Sequence, residues 1–211
     1  MRKVFLWNVF LNRIDKLQNH VSEDYVLVNA DWRFSLSYLI DMYTKEGDDI
    51  LIISGLTAED QVQNNLLTFK EEVKRVIEDR NVTVNYEEIM QPSEFKETHA
   101  CLRFFKTVAS KFKEGDRIYY DMTYGMKPYS FAMFIAMAYA VKAAHDISVE
   151  QILYVSLYTG SSEDKNEEEP ATATLWDLTF LFTLNEIAGN VAPGLKTSSD
   201  KVFNYIIGDE D

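Results

Sequence analysis

Short apolar runs of strand length, each followed by a stretch long enough for a helix, constrain this 211-residue chain more than any other feature. Lys3 to Phe10, Ile50 to Gly55, Val82 to Tyr86, Ile118 to Met122 and Ile152 to Tyr158 are rich in β-branched and aromatic residues. Most of them lack strict polar–apolar alternation, which suits strands covered on both faces. Tyr25 to Asn29 reads as one more short extended segment. Between the runs the spacing predicts helices. Asp31 is placed to cap one that reaches Lys45, and Thr57 to cap a long one from Ala58 to Asp79. Pro92-Ser93 opens a third that runs to Lys113, and Gly115-Asp116 stops it. Pro128 to His145 is an Ala- and Met-rich fourth. Leu175 to Gly189 reads as a C-terminal helix, and Lys201 to Ile207 as a last short element. Strands alternating with helices predict an α/β, Rossmann-like fold, a mostly parallel sheet with helices on both faces.

No internal repeat or linker interrupts the pattern. The organisation expected is a Rossmann-like domain over residues 1–160, an acidic loop over 161–170, and a helical element over 171–211 packed on the same domain. A formal net charge of -13 argues against binding duplex DNA or long RNA, because such binding rests on neutralising many phosphates. It leaves room for a small anion in a locally positive pocket. The single cysteine, Cys101, excludes an intrachain disulfide and reads as a core thiol beside Leu102 and Phe105. The apolar start, Val4 to Phe10, is too short for an export signal, and the longest apolar stretch, Phe131 to Ala144, is too short to span a bilayer. A cytoplasmic protein without a membrane partner is expected.

Ligands of open α/β sheets sit beyond the carboxyl ends of the strands. Four such ends matter here: Trp7 and Asn8; Ser54 to Thr57, with Gly55 and Leu56; Asp121 to Lys127; and Tyr158, Thr159 and Gly160. The third is the richest. Thr123, Gly125, Met126 and Lys127 fall together where a helix begins, and Pro128 suits the first helical position, where its missing N–H costs nothing. Free amides, a positive helix end, a hydroxyl and an ammonium then converge on one spot suited to a phosphate. Each residue also has a plainer role. Thr123 serves equally as a cap and Lys127 as a solvated first-turn residue. Asp121 is read as bonding the turn that follows. Tyr124 either stacks on a base or packs at a surface. Gly55 and Gly125 permit close approach of a ligand or simply make turns. Arg33, in the first turn of its predicted helix, is a phosphate donor or a surface residue.

His20, His99 and His145 are scattered without metal-ligand spacing, so no metal site is expected. No Gly-x-Gly-x-x-Gly, Gly-Lys-Ser/Thr loop or Gly-x-Ser-x-Gly elbow is present, which argues against dinucleotide, P-loop and hydrolase chemistry, and no cofactor is expected.

The segment Asp121-Met-Thr-Tyr-Gly-Met-Lys-Pro resembles the signature of the CRISPR-associated Rossmann-fold (CARF) family. The branch it resembles ends a strand in Asp-hydrophobic-Thr-His-Gly-hydrophobic-Arg before an apolar helix. Tyr124 stands where histidine is usual, and Lys127 where arginine is usual. Ile50-Leu-Ile-Ile-Ser-Gly-Leu-Thr-Ala, Glu114-Gly115-Asp116 and Leu175-Trp-Asp-Leu-Thr-Phe-Leu-Phe are similar to further family segments in order and spacing. The resemblance implies a homodimer that binds a cyclic oligoadenylate messenger of type III CRISPR defence, cyclic tetra-adenylate foremost, whose rotational symmetry suits a two-fold groove. Trp7, Asn8, Leu56 and Tyr158 become adenine-pocket candidates. Arg33, Gly55, Thr57, Thr123, Tyr124, Gly125, Met126, Lys127 and Thr159 become further ligand contacts. The resemblance also implies one of two activities. A stand-alone ring nuclease would cleave the messenger without metal, the ribose 2′-OH attacking with help from Lys127 and Thr123. A sensor module would bind it without cleavage and act with a separate effector domain.

Overall fold

The computed structural model describes residues 1–12, 19–21, 32–91, 98–158 and 172–189. The elements are β1 (Arg2–Asn8), β2 (Asn19–Val21), α1 (Ser35–Tyr43), β3 (Asp49–Leu56), α2 (Asp60–Val76), β4 (Thr83–Met90), α3 (Thr98–Ala109), β5 (Arg117–Asp121), α4 (Lys127–Ala143), β6 (Ser148–Tyr158), β7 (Thr172–Asp177) and α5 (Thr179–Gly189). The strands form one seven-stranded sheet in the order β2-β7-β6-β5-β1-β3-β4. From β4 to β6 all pairing is parallel, β7 is antiparallel to β6, and β2 is parallel to β7. This is the Rossmann-like α/β architecture that the apolar runs predict.

The order places the reversal of chain direction between β1 and β5. After β1 the chain places β2 at the far edge beside β7, then passes through α1 to β3, next to β1, and through α2 to β4. It then returns on the other side of β1 as β5 and continues through α4 to β6. Crossovers in opposite directions put their helices on opposite faces. Side chains agree. On β1, Phe5 and Trp7 enter the core cluster shared with α1 and α2. There Phe34 and Phe69 meet the Trp7 ring at centroid distances of 5.6 and 4.2 Å. Asn8 points the other way and bonds Ser130 of α4. On that second face α3 and α4 pack together, with Phe104 edge-on to Tyr129 at 5.0 Å.

The amino ends of the strands are pinned by charge. Arg2 grips Asp116 with two bonds of 3.0 and 2.7 Å, and the buried Lys3 donates to the Tyr43 carbonyl at 2.7 Å and to Asp48 at 2.5 Å. Both pairs lie at the end of the sheet opposite the candidate phosphate corner.

Several expectations need correction. Residues 172–177 are a sheet strand and not the first turns of a C-terminal helix. Thr-Ala-Thr-Leu-Trp-Asp alternates and pairs with β6, and the helix starts only at Thr179. The chain divides into two compact units, Met1–Asp177 and Leu178–Asp211, so 172–177 belongs with the sheet. The α2 helix begins at Asp60 with Glu59 as its cap, so Thr57 does not cap it. Pro128 is the second helical residue of α4, after Lys127. Asp31 as a cap, the 25–29 and 201–207 segments, the Pro92-Ser93 opening and the acidic loop lie outside the described residues. No helix among the described residues is long and apolar enough to cross a membrane.

Candidate functional site

At the β1–β5 switch point the carboxyl edge of the sheet is built from Asn8, Gly55 and the corner from Asp121 to Lys127. The corner forms for local reasons. Asp121 ends β5 and accepts the Thr123 amide at 3.0 Å, closing a side-chain turn, and Met122 N donates to the Leu153 carbonyl at 2.9 Å. Gly125 then takes φ of 95°, a conformation costly for any residue with a Cβ. Met126 is extended and α4 starts at Lys127, with no side chain capping its amides.

Asn8 fastens this corner to the sheet. Its Nδ2 donates to Ser130 Oγ at 3.0 Å, and Gln91 Nε2 donates to its Oδ1 at 2.6 Å. Ser130 Oγ donates on to the Tyr124 carbonyl at 3.3 Å, and Tyr120 OH donates to the Ser130 carbonyl at 2.9 Å. Both glycines of the edge are dictated by this network. A Cβ on Gly55 would lie 2.3 Å from Asn8 Oδ1, and one on Gly125 would lie 2.3 Å from Asn8 Cβ. They admit a neighbouring side chain of the protein itself.

Two helix amino ends meet this edge from opposite faces, and they differ in charge balance. That of α1 is filled internally. Ser35 Oγ donates to Asp121 Oδ2 at 2.5 Å. The fully buried Glu72 accepts from the amides of Arg33 (2.9 Å) and Phe34 (3.1 Å) and from Ser37 Oγ (2.6 Å). Burial raises the Asp121 carboxyl above its ordinary range, against the opposing bonds from Ser35, Thr123 and the Leu36 amide. The amino end of α4 holds no such carboxylate. Lys127 is exposed there and has no ion pair among the described residues. Among the described residues Arg33, just before α1, also has no ion pair, and its Nε is buried without a partner.

The candidate residues therefore separate. Lys127, Met126, Gly125 and Arg33 lie at the edge with partial or full exposure. Arg33 precedes its helix and is not in its first turn, because Phe34 is the cap. Thr123 comes to the edge, but its hydroxyl is committed. It accepts the Val155 amide at 2.9 Å and faces the Asp121 carboxylate, so it positions the turn and neither caps α4 nor is free for a phosphate. Tyr124 neither stacks on a ligand nor lies at the surface. It is buried against Phe10 at 4.6 Å, and burial raises its hydroxyl well above the ordinary phenol range. Trp7 is a core residue whose Nε1 donates to Ser54 Oγ at 2.8 Å, and Leu56 is core as well, so neither lines an adenine pocket. Asn8 is fully buried, a fastening and not a contact surface. Thr57 is buried beside the Glu59 carboxylate, whose pKa it helps to lower. Tyr158 ends β6, and Thr159 and Gly160 lie outside the described residues.

Sequence reasoning missed Gln91, Ser130, Ser35 and Glu72. Their signal was weak, since each is a polar residue inside or beside an apolar stretch, whose partner lies 35 to 122 positions away. Among the described residues no three His, Cys, Asp or Glu side chains are grouped to hold a metal. Compared with known proteins, the chain matches no family model, and no curated protein matches it.

Proposed function

We propose that this chain binds a cyclic oligoadenylate, cyclic tetra-adenylate foremost, at the carboxyl edge of β1 and β5, and does so as a homodimer of the CARF type. One observation carries the reading. Over the switch point, where α/β sheets take their ligands, the amino end of α4 offers the Lys127 ammonium, which has no ion pair among the described residues, at a helix end that no side chain caps, although Pro128 has no N–H and the Tyr129 and Ser130 amides bond the Met126 carbonyl, whereas the facing end of α1 is already neutralised by the protein's own carboxylates. A ring of phosphates satisfies the first without competing for the second. The resemblance at Asp121 to Pro128 supplies the identity of the anion.

Cleavage is the further step of this reading. The ribose 2′-OH attacks the adjacent phosphorus and loses its proton to water, the bond from phosphorus to the 5′-oxygen breaks, that oxygen takes a proton from water, and a 2′,3′-cyclic phosphate remains. Lys127 is the residue placed to stabilise the phosphorane charge. Thr123 contributes by holding the turn through Asp121 and Val155. Asp121 and Tyr124 are buried, so an exposed general base is missing among the described residues of the corner. A slow nuclease or a pure sensor follows from that absence.

Titration with labelled cyclic tetra-adenylate in the presence of chelator tests both steps. Lys127→Ala is expected to weaken binding about 100-fold or more, since each copy of the dimer loses a charged hydrogen bond, and Arg33→Ala to weaken it less. Equal or reversed effects would move the site away from α4. Linear products ending in 2′,3′-cyclic phosphate identify the nuclease, and an intact bound ring identifies the sensor. No binding to any cyclic oligoadenylate removes the reading.

A further inference from the structure

The antiparallel pair β6–β7 outruns the parallel part of the sheet. β6 pairs with β5 only as far as Leu153, opposite Asp121, and with β7 from Leu153 to Tyr158. Residues 154–158 therefore extend roughly 17 Å beyond the end of β5, as a wall beside the 121–127 corner. The corner is tied to the foot of this wall. Met122 N donates to the Leu153 carbonyl and Val155 N to Thr123 Oγ1, both at 2.9 Å.

The two faces of the wall differ. Leu153, Val155 and Leu175 enter the core cluster with Trp7. Side chains alternate along a strand, so Tyr154, Ser156 and Trp176 lie on the opposite face, the one on which Asn8 meets α4. On that face Ile152 is still buried, but Tyr154 and Trp176, direct partners across the strand pair, are 39% and 49% exposed. The Trp176 indole is held in place by its Nε1, which donates to Ser156 Oγ at 2.9 Å. Having accepted that bond, the Ser156 hydroxyl keeps its own proton to give. Neighbouring strands are about 4.8 Å apart. Tyr154 thus stands one strand, and Trp176 two strands, from the corner where Lys127 and α4 begin.

We infer, on the basis of the function proposed above, that this face seats an adenine, the base stacked on the Trp176 indole beside Tyr154 and its phosphate at Lys127. Trp7 and Leu56, at the ends of β1 and β3, are covered by the protein's own core and cannot take the base. Trp176 has spent its one donor on Ser156, and what it still offers is the face of its ring, a surface that stacks on bases. The Ser156 hydroxyl beside it matches the ring-nitrogen acceptors on a purine edge. Size agrees. At about 200 Å² for a large aromatic side chain, Tyr154 and Trp176 leave on the order of 180 Å² open, less than the few hundred Å² of a protein-docking patch and enough for one base.

The test follows the tryptophan fluorescence of the full chain as cyclic tetra-adenylate is added with chelator, since a base stacked on an indole quenches it. The parent protein is expected to be quenched. Trp176→Phe keeps a ring but removes the reporter, and is expected to bind nearly as well without quenching. Trp176→Ala is expected to bind about 10-fold more weakly or worse, the worth of a base–aromatic stack, while staying folded by circular dichroism and unchanged in size by light scattering. Three results overturn the seat: quenching that persists in Trp176→Phe, a folded Trp176→Ala protein that binds like the parent, or a folded Trp176→Ala protein that changes oligomeric state, which makes the face a protein interface. Should the alanine variant not fold, the phenylalanine variant decides alone. Adenosine 5′-monophosphate, one base and one phosphate, separates this outcome from that of the functional reading. Quenching of Trp176 by the mononucleotide, lost in Lys127→Ala, in a protein that ignores the ring keeps the seat and removes the ring. Ring binding without Trp176 quenching keeps the ring and removes the seat, and a Trp176 that responds to neither probe removes both.

Discussion

At Gly125 the chain meets two demands that no other residue satisfies together. Its φ of 95° costs on the order of 1–3 kcal/mol for a residue with a Cβ, and a Cβ there would overlap Asn8 Cβ at 2.3 Å. Gly125→Ala is therefore expected to destabilise by about 3 kcal/mol in urea unfolding, the backbone and overpacking terms together. The overlap part is specific to Asn8. In a cycle with Asn8→Gly, the double variant should be more stable than the sum of the singles by about 1 kcal/mol or more, and strict additivity would mean that Asn8 is not the neighbour in the way. The glycine itself was legible, because a strand ending in Asp followed by a Gly two residues before Lys-Pro spells a turn into a helix. What filled the turn was not. Asn8 is 122 positions from Ser130 and 83 from Gln91, so nothing local to it says that it faces inward. Trp7 and Tyr124 were misplaced for the same reason. An aromatic at a strand end reads alike whether a ligand or Phe69 and Phe10 cover it.

The α1 helix illustrates how an element is held by a residue from elsewhere. Its own cap, Phe34, offers no side-chain acceptor, and its first turn has no acidic residue. The amides that lead into the helix, those of Arg33 and the cap Phe34, go to Glu72 of α2, which also accepts the Ser37 hydroxyl while fully buried, and the Leu36 amide goes to Asp121. Removing the carboxylate strands three donors in the core. Glu72→Ala is expected to cost about 3 kcal/mol or more, and Glu72→Gln, which keeps one acceptor, about half as much. The check is urea unfolding; a change under ~1 kcal/mol for the alanine variant would show that water replaces the carboxylate there. Helices of this chain were legible as elements because their apolar periodicity and Gly or Pro punctuation are local. Their starts were less so. Thr57 looked like a cap for α2, but the chain enters the helix two residues later at Glu59, with Thr57 turned into the fold. The strand end at 175–177 was read as helix because Leu-Trp-Asp-Leu-Thr-Phe-Leu-Phe is mostly apolar with its polar residues at 177 and 179, a pattern too short to separate the two states. The antiparallel partner β6 decides it. The three-residue β2 is too short to carry any period.

At the scale of the whole molecule, acid titration sets two buried or half-buried aspartates against each other. Asp48, at the amino edge of the sheet, loses some solvation, but the Lys3 hydrogen bond and the Lys45 amide outweigh that and lower its pKa. Its contribution is present above the ordinary aspartate value, about 3.9, and is lost as pH falls through the lowered one. Asp121, at the carboxyl edge, is shifted upward by burial. Its contribution is fully present below the ordinary value and is lost as pH rises through the raised one, because the folded protein must then bury a charge. The net charge of -13 acts in the same direction as Asp121, since self-repulsion grows as carboxylates ionise. An Asp121→Asn variant separates the two effects, because it removes one titration and leaves the remaining charge almost unchanged. The stability of the parent protein minus that of the variant should fall as pH rises from 4 to 7, read as the difference of urea midpoints at each pH. A difference that instead rises with pH would mean that the donors from Ser35, Thr123 and the Leu36 amide outweigh burial. Asp121 would then be a held anion of the same kind as Glu72, and the two amino ends at the switch point would differ in charge even more than the present reading requires.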